Sequence, residues 1–172
     1  FSTIFGWYNL GGLLVSGVAA IAILTILLRQ RGLLPHVTEA HLQDLGRLVF
    51  GFSTLWAYLW LSQYLLIWYS NIPEETSYFV ARTRGGWSLL FYLNLVLGWV
   101  LPFLMLMPWG AKRHERHLLY LCVVVLAGRW LDVYLMVMPG VAPVHPGVGL
   151  VDLAAFVGVG ALFLLAFDRA LG

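Results

Sequence analysis

An arginine and an aspartate lie three residues apart in an otherwise apolar segment of the chain. They are Arg129 and Asp132, within the stretch LLYLCVVVLAGRWLDVYLMVMPG. In membrane hydrocarbon, each unpaired charge costs about 2.5–3.5 kcal/mol on an insertion scale. The pair is therefore expected to face a protein interior or a water-filled cavity, and such a position marks a candidate functional pathway.

A carboxyl group in such a position can carry a proton. Burial favours the neutral acid, whereas a neighbouring arginine favours the carboxylate. Residues three apart are neighbours on a helix surface, so Arg129 can hold Asp132 ionised. The sequence therefore predicts one of two roles: proton transfer through Asp132, or an ion pair that clamps helices together.

Other polar residues are predicted at a similar depth in the membrane. Gln63, Asn94 and Asp152, together with Asn9, all fall in the outward halves of predicted spans, whereas the inward halves are almost purely apolar. Hydrogen bonds between membrane helices average only about 0.6 kcal/mol, so stability alone is a weak reason for such a set. The sorting by depth favours a polar pocket or half-channel open to the outer face; the alternative is a structural clamp.

Membrane-spanning helices must position these side chains. Hydrophobic residues make up 61% of the 172 residues and charged residues 10%, against about 25% charged residues in a soluble domain. A helix needs about 20 apolar residues to cross the membrane core. Five stretches are long enough: 5–28, 46–69, 87–107, 118–138 and 148–168. Because they lack strand-like alternation, we predict one all-α, polytopic transmembrane bundle.

Basic residues predict the orientation of this bundle. One side of the predicted bundle carries seven of them: Arg29, Arg31, Arg47, Lys112, Arg113, Arg116 and Arg169. The other side carries Arg82 and Arg84, in the loop 70–86. Since cytoplasmic loops are enriched in lysine and arginine, we expect residue 1 to face outward and the C-terminus to be cytoplasmic.

Small residues and proline predict where helices approach and bend. Gly12 and Ser16 lie four residues apart in the first span, which allows a second helix to come close. Gly98 and Pro102 have the same spacing in the third span, where proline is expected to kink the helix and free a carbonyl group.

The second span carries an aromatic residue at every fourth position. These residues are Trp56, Trp60, Tyr64 and Trp68. Core packing and an interfacial aromatic belt explain the pattern most simply. Alternatively, Trp60 and Tyr64 form the wall of a pocket for a flat ring such as a quinone.

Several site classes are disfavoured by the residues present. The single cysteine, Cys122, cannot build a disulfide framework or an iron–sulfur or zinc site. The five histidines lie in loops or at helix ends, which disfavours bis-histidine haem ligation within the membrane. The sequence also lacks a nucleotide-binding loop, a catalytic triad and any feature that indicates nucleic-acid binding. We expect no metal and no cofactor bound directly to this chain.

Three stretches resemble a known family. They are FSTIFGWYNLGGLLVSG, HLQDLGRLVFGFSTLWAYLWLSQYLLIWYSNIPEETSYFVAR and GRWLDVYLMVMPG. Together they are similar to the polysulfide-reductase-type (NrfD-like) membrane subunits, and most similar to the F subunits of bacterial alternative complex III. That complex is a quinol:electron-acceptor oxidoreductase. The resemblance implies a location in the bacterial inner membrane and places this chain in the C-terminal half of a longer subunit, in keeping with its start at Phe1.

The resemblance also implies partners and a role. Iron–sulfur clusters and c-type haems would be held by other subunits, and a second NrfD-like subunit would be the better candidate for the quinol site. The present chain would conduct or translocate protons, or act as a structural anchor, or bind quinol. Its proposed proton path would include Arg129, Asp132 and Gln63, with Glu74 and Glu75 at the outer mouth.

Overall fold

The computed structural model describes residues 4–108, 114–141 and 149–171. Within these ranges every regular element is helical, which confirms the predicted all-α bundle. The helices are α1 (Ile4–Gln30), α2 (Glu39–Ser70), α3 (Pro73–Thr83), α4 (Trp87–Leu95), α5 (Leu101–Leu106), α6 (Glu115–Val141) and α7 (Leu150–Leu171). A π-helical segment, Val96–Val100, joins α4 to α5.

Four helices in the described part of the chain are long and apolar enough to cross a membrane. They are Ile4–Gln30, Trp87–Leu106, Glu115–Val141 and Leu153–Ala170. The predicted span 46–69 lies within α2, which is long enough but is not among the four. Its tryptophan, tyrosine and glutamine side chains make it less apolar than the others. By length and composition, these four helices indicate a membrane-embedded protein.

Helix α1 packs along α2 and α6, and α6 in turn contacts α2, α3, α4 and α5. Its buried face runs through Gly11, Gly12, Val15 and Ala19. A Cβ atom at Gly11 would lie 3.2 Å from Cδ1 of a leucine on α2. The predicted close approach is therefore present at Gly12 and its neighbour Gly11, whereas Ser16 is half-buried and donates to the Gly12 carbonyl at 2.8 Å.

Proline explains the π-helical segment. Pro102 has no N–H to donate to the carbonyl of Gly98 four residues earlier, and its ring would clash with that carbonyl. Widening the preceding turn relieves the clash, and the Leu101 N–H bonds to the Val96 carbonyl, five residues back. The predicted disturbance at Pro102 therefore takes the form of a π-bulge.

The segment predicted as an outer loop, 70–86, contains a helix. Pro73 at the first helical turn and two glutamates after it favour a helix start, which explains α3. Residues with positive φ lie on both sides: Asn71 (φ 48°) and Gly85 (φ 64°). They let the chain turn sharply so that α3 lies against α2, α4 and α6. We call this end of the bundle the α3 end.

Helix α7 differs from the others in its exposure. Among its described side chains, only Phe167 is even partly buried. The rings of Phe156 and Trp130 on α6 have centroids 5.6 Å apart. This helix therefore presents an apolar surface on nearly every side, as expected for contact with lipid or another membrane subunit.

Candidate functional site

The carboxylate of Asp132 joins three helices at the α3 end. Asp132 is only 2% exposed. Its Oδ1 accepts hydrogen bonds from the Tyr8 hydroxyl of α1 and from Asn94 Nδ2 of α4, the latter at 2.6 Å. Its Oδ2 lies 2.9 Å from Arg129 Nη2. Oδ1 is therefore hydrogen-bonded, whereas Oδ2 has the guanidinium beside it but makes no hydrogen bond within the described residues.

A glycine and a tryptophan pack against the guanidinium of Arg129. A Cβ atom at Gly12 would lie 1.9 Å from Arg129 Nη2, so only glycine leaves room for the guanidinium there. The Arg129 Cζ atom lies 4.8 Å from the centroid of the Trp56 ring, a cation–π contact. Nε and Nη1 of Arg129 are buried and have no hydrogen-bond partner in the described part of the chain. The guanidinium is therefore held by one ion pair, one ring face and a close helix approach.

Two further glycines bring Trp56 and α6 close to the π-helical segment. A Cβ atom at Gly98 would lie 2.7 Å from the Trp56 ring, and one at Gly128 would lie 3.0 Å from Cβ of Leu97. The π-bulge and these glycines allow α2, α4 and α6 to approach closely around the guanidinium. Segments of this kind are often found at functional sites.

A small cavity adjoins Asp132 on the side facing α3. The volume of this cavity is about 30 Å³. Its polar lining residues are Tyr8, Gln63, Tyr78, Arg82, Asn94 and Asp132. Its apolar wall is Phe5, Trp60, Phe79, Phe91 and Leu135. The cavity has room for about two water molecules, since each needs about 10–15 Å³ by this measure.

Arg82 closes this cavity from α3. It is 5% exposed and does not behave as a free loop charge. Its Nε donates to the Leu135 carbonyl and its Nη2 to the Met136 carbonyl, both at 2.8 Å. Pro139, inside α6, has no N–H for the Leu135 carbonyl four residues earlier. Arg82 therefore supplies the donor that the proline removes.

Tyr78 and Arg82 influence each other on α3. The Arg82 Cζ atom lies 3.4 Å from the centroid of the Tyr78 ring, and Nη1 donates to the Tyr78 carbonyl at 2.6 Å. Burial raises the pKa of Tyr78, an effect that the nearby guanidinium partly offsets. Burial lowers the pKa of Arg82, but a guanidinium is so strongly basic that it stays charged at neutral pH. The cavity is therefore lined by a neutral phenol and a cation on this side.

The structure brings together most of the predicted site residues. Arg129, Asp132 and Asn94 are in direct contact, and Gln63 lines the adjoining cavity. Trp60 also lines the cavity, and its ring is stacked on that of Tyr64, with centroids 6.1 Å apart and planes 7° apart.

Other predicted residues lie elsewhere. Glu74 is exposed and Glu75 half-buried in the first turn of α3, and neither lines the cavity. Asn9 is exposed and donates to the Phe5 carbonyl of its own helix at 2.9 Å, so the expectation that it joins the polar set is wrong. The side chain of Asp152 lies outside the described residues.

Three contributors were not singled out as site residues from the sequence: Tyr8, Arg82 and Trp56. Tyr8 precedes Gly12 by four residues and therefore shares its helix face, a signal that was available. Pro139, directly after the fourth predicted span, also signalled that a carbonyl near the end of this helix would lack its usual donor. The sequence could not show that Arg82 provides this donor, because Arg82 and Pro139 belong to different helices.

Comparisons with known proteins do not assign a family. No protein-family model matches the chain, and no curated protein matches it. Within the residues that the structure describes, no group of three histidine, cysteine, aspartate or glutamate side chains could hold a metal ion. Function is therefore inferred from the geometry of the site and from the sequence resemblance.

Proposed function

We propose that this chain is an integral membrane subunit of a bacterial quinol:electron-acceptor oxidoreductase and conducts protons through Asp132. Its partners would be the subunits that hold the iron–sulfur clusters and c-type haems, and a second NrfD-like subunit. It would lie in the inner membrane with the α3 end outward. The resemblance of the WYSNIPEET and GRWLD stretches supports membership in such a complex. The surroundings of Asp132 support a role in proton conduction.

One observation carries the proton role: a buried carboxylate lies beside a polar cavity of water size at one end of the bundle. Tyr8 and Asn94 donate to Asp132, and Arg129 balances its charge. A group that is buried, hydrogen-bonded and next to space for water can exchange protons without leaving its position. The same cavity is far smaller than the roughly 300 Å³ of typical pockets for ring-sized ligands. Proton conduction is therefore better supported than quinol binding between Trp60 and Tyr64.

The test is the number of protons moved per electron. The assembled complex carrying Asp132→Asn would be reconstituted in vesicles and supplied with quinol and an electron acceptor, with proton movement followed by a pH indicator. We expect the ratio to fall, because an amide cannot take up and release a proton as a carboxyl group does. Asp44→Asn is the matched control, since Asp44 has an arginine at the same three-residue spacing but is exposed.

Assembly must be separated from conduction. Asp132→Asn leaves Arg129 without its counter-charge, so the double variant Arg129→Gln/Asp132→Asn, which is neutral, is tested beside it. An unchanged proton-to-electron ratio in assembled complexes of both variants would contradict proton conduction.

The membership of the chain in a redox complex has its own test. The tagged chain should be purified from its native membrane together with subunits that show c-type haem absorbance, and purification without haem would contradict this part.

A structural anchor is the second candidate function. The observation that favours it is that Asp132 ties α1, α4 and α6 together through Tyr8, Asn94 and Arg129. In that case Asp132→Asn would lower the yield of the complex but leave the proton-to-electron ratio of the remaining complex unchanged.

A further inference from the structure

Two side-chain oxygens next to Asp132 have no hydrogen-bond donor in the described part of the chain. They are Gln63 Oε1 and Asn94 Oδ1. Gln63 is 8% exposed and Asn94 3%, and both residues line the cavity at the α3 end. Because Asn94 Nδ2 donates to Asp132, the orientation of this amide is fixed and its oxygen must find a donor elsewhere. A buried acceptor without a donor costs about 1–3 kcal/mol, so a ligand with donor groups is expected here.

The charges and size of the cavity decide which ligand fits. An anion would meet the Asp132 carboxylate and two further acceptor oxygens, all of which repel it. A metal cation would be repelled by Arg82, which lines the same cavity, and the Asp132 carboxylate is already paired with Arg129. An apolar molecule would leave both amide oxygens without donors. A volume of about 30 Å³ excludes a ring.

We propose that this cavity is a binding site for about two water molecules, held by Gln63 Oε1 and Asn94 Oδ1. Water is neutral, is small enough and can donate two hydrogen bonds to these acceptor oxygens. Its own oxygen can accept from the N–H groups of Arg82 or the hydroxyl group of Tyr78, which line the same cavity. Buried water typically makes about three hydrogen bonds of this kind.

These waters would connect Asp132 with α3. A role for these waters in proton movement rests on the proposed function. In that role, a proton that has reached the Asp132 carboxyl group passes to the oxygen of a bound water. That water releases one of its other protons toward the α3 end, so both the carboxylate and the water return to their starting states. Tyr78 and Arg82 then form the last polar groups before the surface.

The first test uses the unmodified complex at a resolution that shows water. We expect density for a water molecule within about 3.2 Å of both Gln63 Oε1 and Asn94 Oδ1, the upper end of normal hydrogen-bond lengths. If instead the two amides bond each other or another protein group and the cavity contains no water density, the proposal is overturned.

The second test is oxidation by hydroxyl radicals generated from bound water in an X-ray pulse, read by mass spectrometry. Tyr8 and Tyr134 form a matched pair, because they are 6% and 7% exposed but only Tyr8 lines the cavity. We expect Tyr8 to be oxidised several times faster than Tyr134. Gln63→Leu should reduce that ratio by about half or more, whereas Ser62→Leu, a change at the neighbouring residue outside the cavity lining, should not.

The outcomes separate the two proposals. Equal oxidation of Tyr8 and Tyr134 in the unmodified complex would contradict the water site, whatever the role of Asp132. Water at the site, combined with an unchanged proton-to-electron ratio in Asp132→Asn, would support the water site and contradict proton conduction.

Discussion

Two arginines are buried to the same extent in this protein, but their charges are satisfied in different ways. Arg129 is 6% exposed and Arg82 5%. Arg129 is paired with a carboxylate and leaves two nitrogens without hydrogen-bond partners in the described residues. Arg82 donates to three backbone carbonyls, and no carboxylate is recorded within ion-pair distance of it in the described part of the chain.

The backbone around each arginine explains the difference. Arg129 lies mid-helix, where the surrounding carbonyls already accept hydrogen bonds from their own helix, so a side chain must balance its charge. Arg82 faces the turn of α6 before Pro139, where the Leu135 carbonyl has lost its helical donor. Carbonyls do not titrate, so we infer that the Arg82 contacts are structural. The Arg129 contact involves a carboxyl group instead of a backbone carbonyl.

Removal of the Arg129 charge is expected to have the largest effect. Arg129→Met leaves Asp132 buried without a counter-charge, and such a loss typically costs about 3–5 kcal/mol of unfolding free energy. The measurement is denaturant unfolding in detergent micelles followed by circular dichroism. Arg47→Met is the control: Arg47 is paired with Asp44 at 2.8 Å on an exposed surface, where such a pair contributes less than about 1 kcal/mol.

A second variant tests whether charge is the cause. Arg129→Met combined with Asp132→Leu contains neither charge, and most of the lost stability should return. If the double variant were as unstable as Arg129→Met alone, lost packing against Trp56 rather than the unpaired charge would be the explanation.

Arg82 is expected to show a coupling with Pro139. Arg82→Leu leaves the buried Leu135 carbonyl without a donor and removes a second, part-buried bond to the Met136 carbonyl, with an expected loss of about 2–3 kcal/mol. Pro139→Ala restores the backbone N–H that can bond the Leu135 carbonyl. In a double-mutant cycle measured by the same unfolding method, Arg82→Leu should therefore cost about 1 kcal/mol less in the Pro139→Ala background.

The control for this cycle is Arg84→Leu. Arg84 follows α3 closely in the chain but is exposed, so the change should lie within about 0.5 kcal/mol in both backgrounds. A strictly additive cycle for Arg82 and Pro139 would contradict the view that the arginine replaces the missing backbone donor. The proposed difference between Arg82 and Arg129 would then be wrong.

The smallest expected effect concerns Gly12, the glycine that packs against Arg129. At Gly12 a Cβ atom would lie 1.9 Å from Nη2, so Gly12→Ala must displace the guanidinium. We expect a loss near the lower end of about 1–3 kcal/mol, because the arginine side chain can move partly out of the way. Gly17→Ala on the same helix meets nothing within 4 Å and should instead stabilise by about 0.5–1 kcal/mol. If both changes altered the stability measured by thermal unfolding equally, close packing of Arg129 against Gly12 would be contradicted.

Much of the candidate site followed from residue types and spacing. The cost of charge in hydrocarbon identified Arg129 and Asp132, and the predicted depth of Gln63 and Asn94 brought them to the same level. Depth alone does not give the direction in which a side chain points around its helix. This is why Asn9, at an appropriate depth, bonds its own helix and lies exposed, whereas the neighbouring Tyr8 reaches Asp132.

The helices themselves were predictable because each depends on local composition. Long apolar runs satisfy their backbone hydrogen bonds only as helices, so the all-α bundle was determined by the sequence. A short amphipathic helix carries a weaker signal than a span, and the prediction of a loop over 70–86 is wrong where α3 lies. The same prediction treats Arg82 as a loop charge, whereas Arg82 is buried.

By itself, then, the sequence determined that this is a membrane bundle with a costly buried ion pair, since hydropathy and charge are properties of the residues in order. Tertiary structure alone decided what surrounds that pair. Gly12 and Trp56 seat the guanidinium, Tyr8 and Asn94 hold the carboxylate, and Arg82 closes the adjoining cavity. These contacts join residues from four other helices to α6, and they depend on how those helices rotate and approach. Packing fixes that geometry, and no local pattern encodes it.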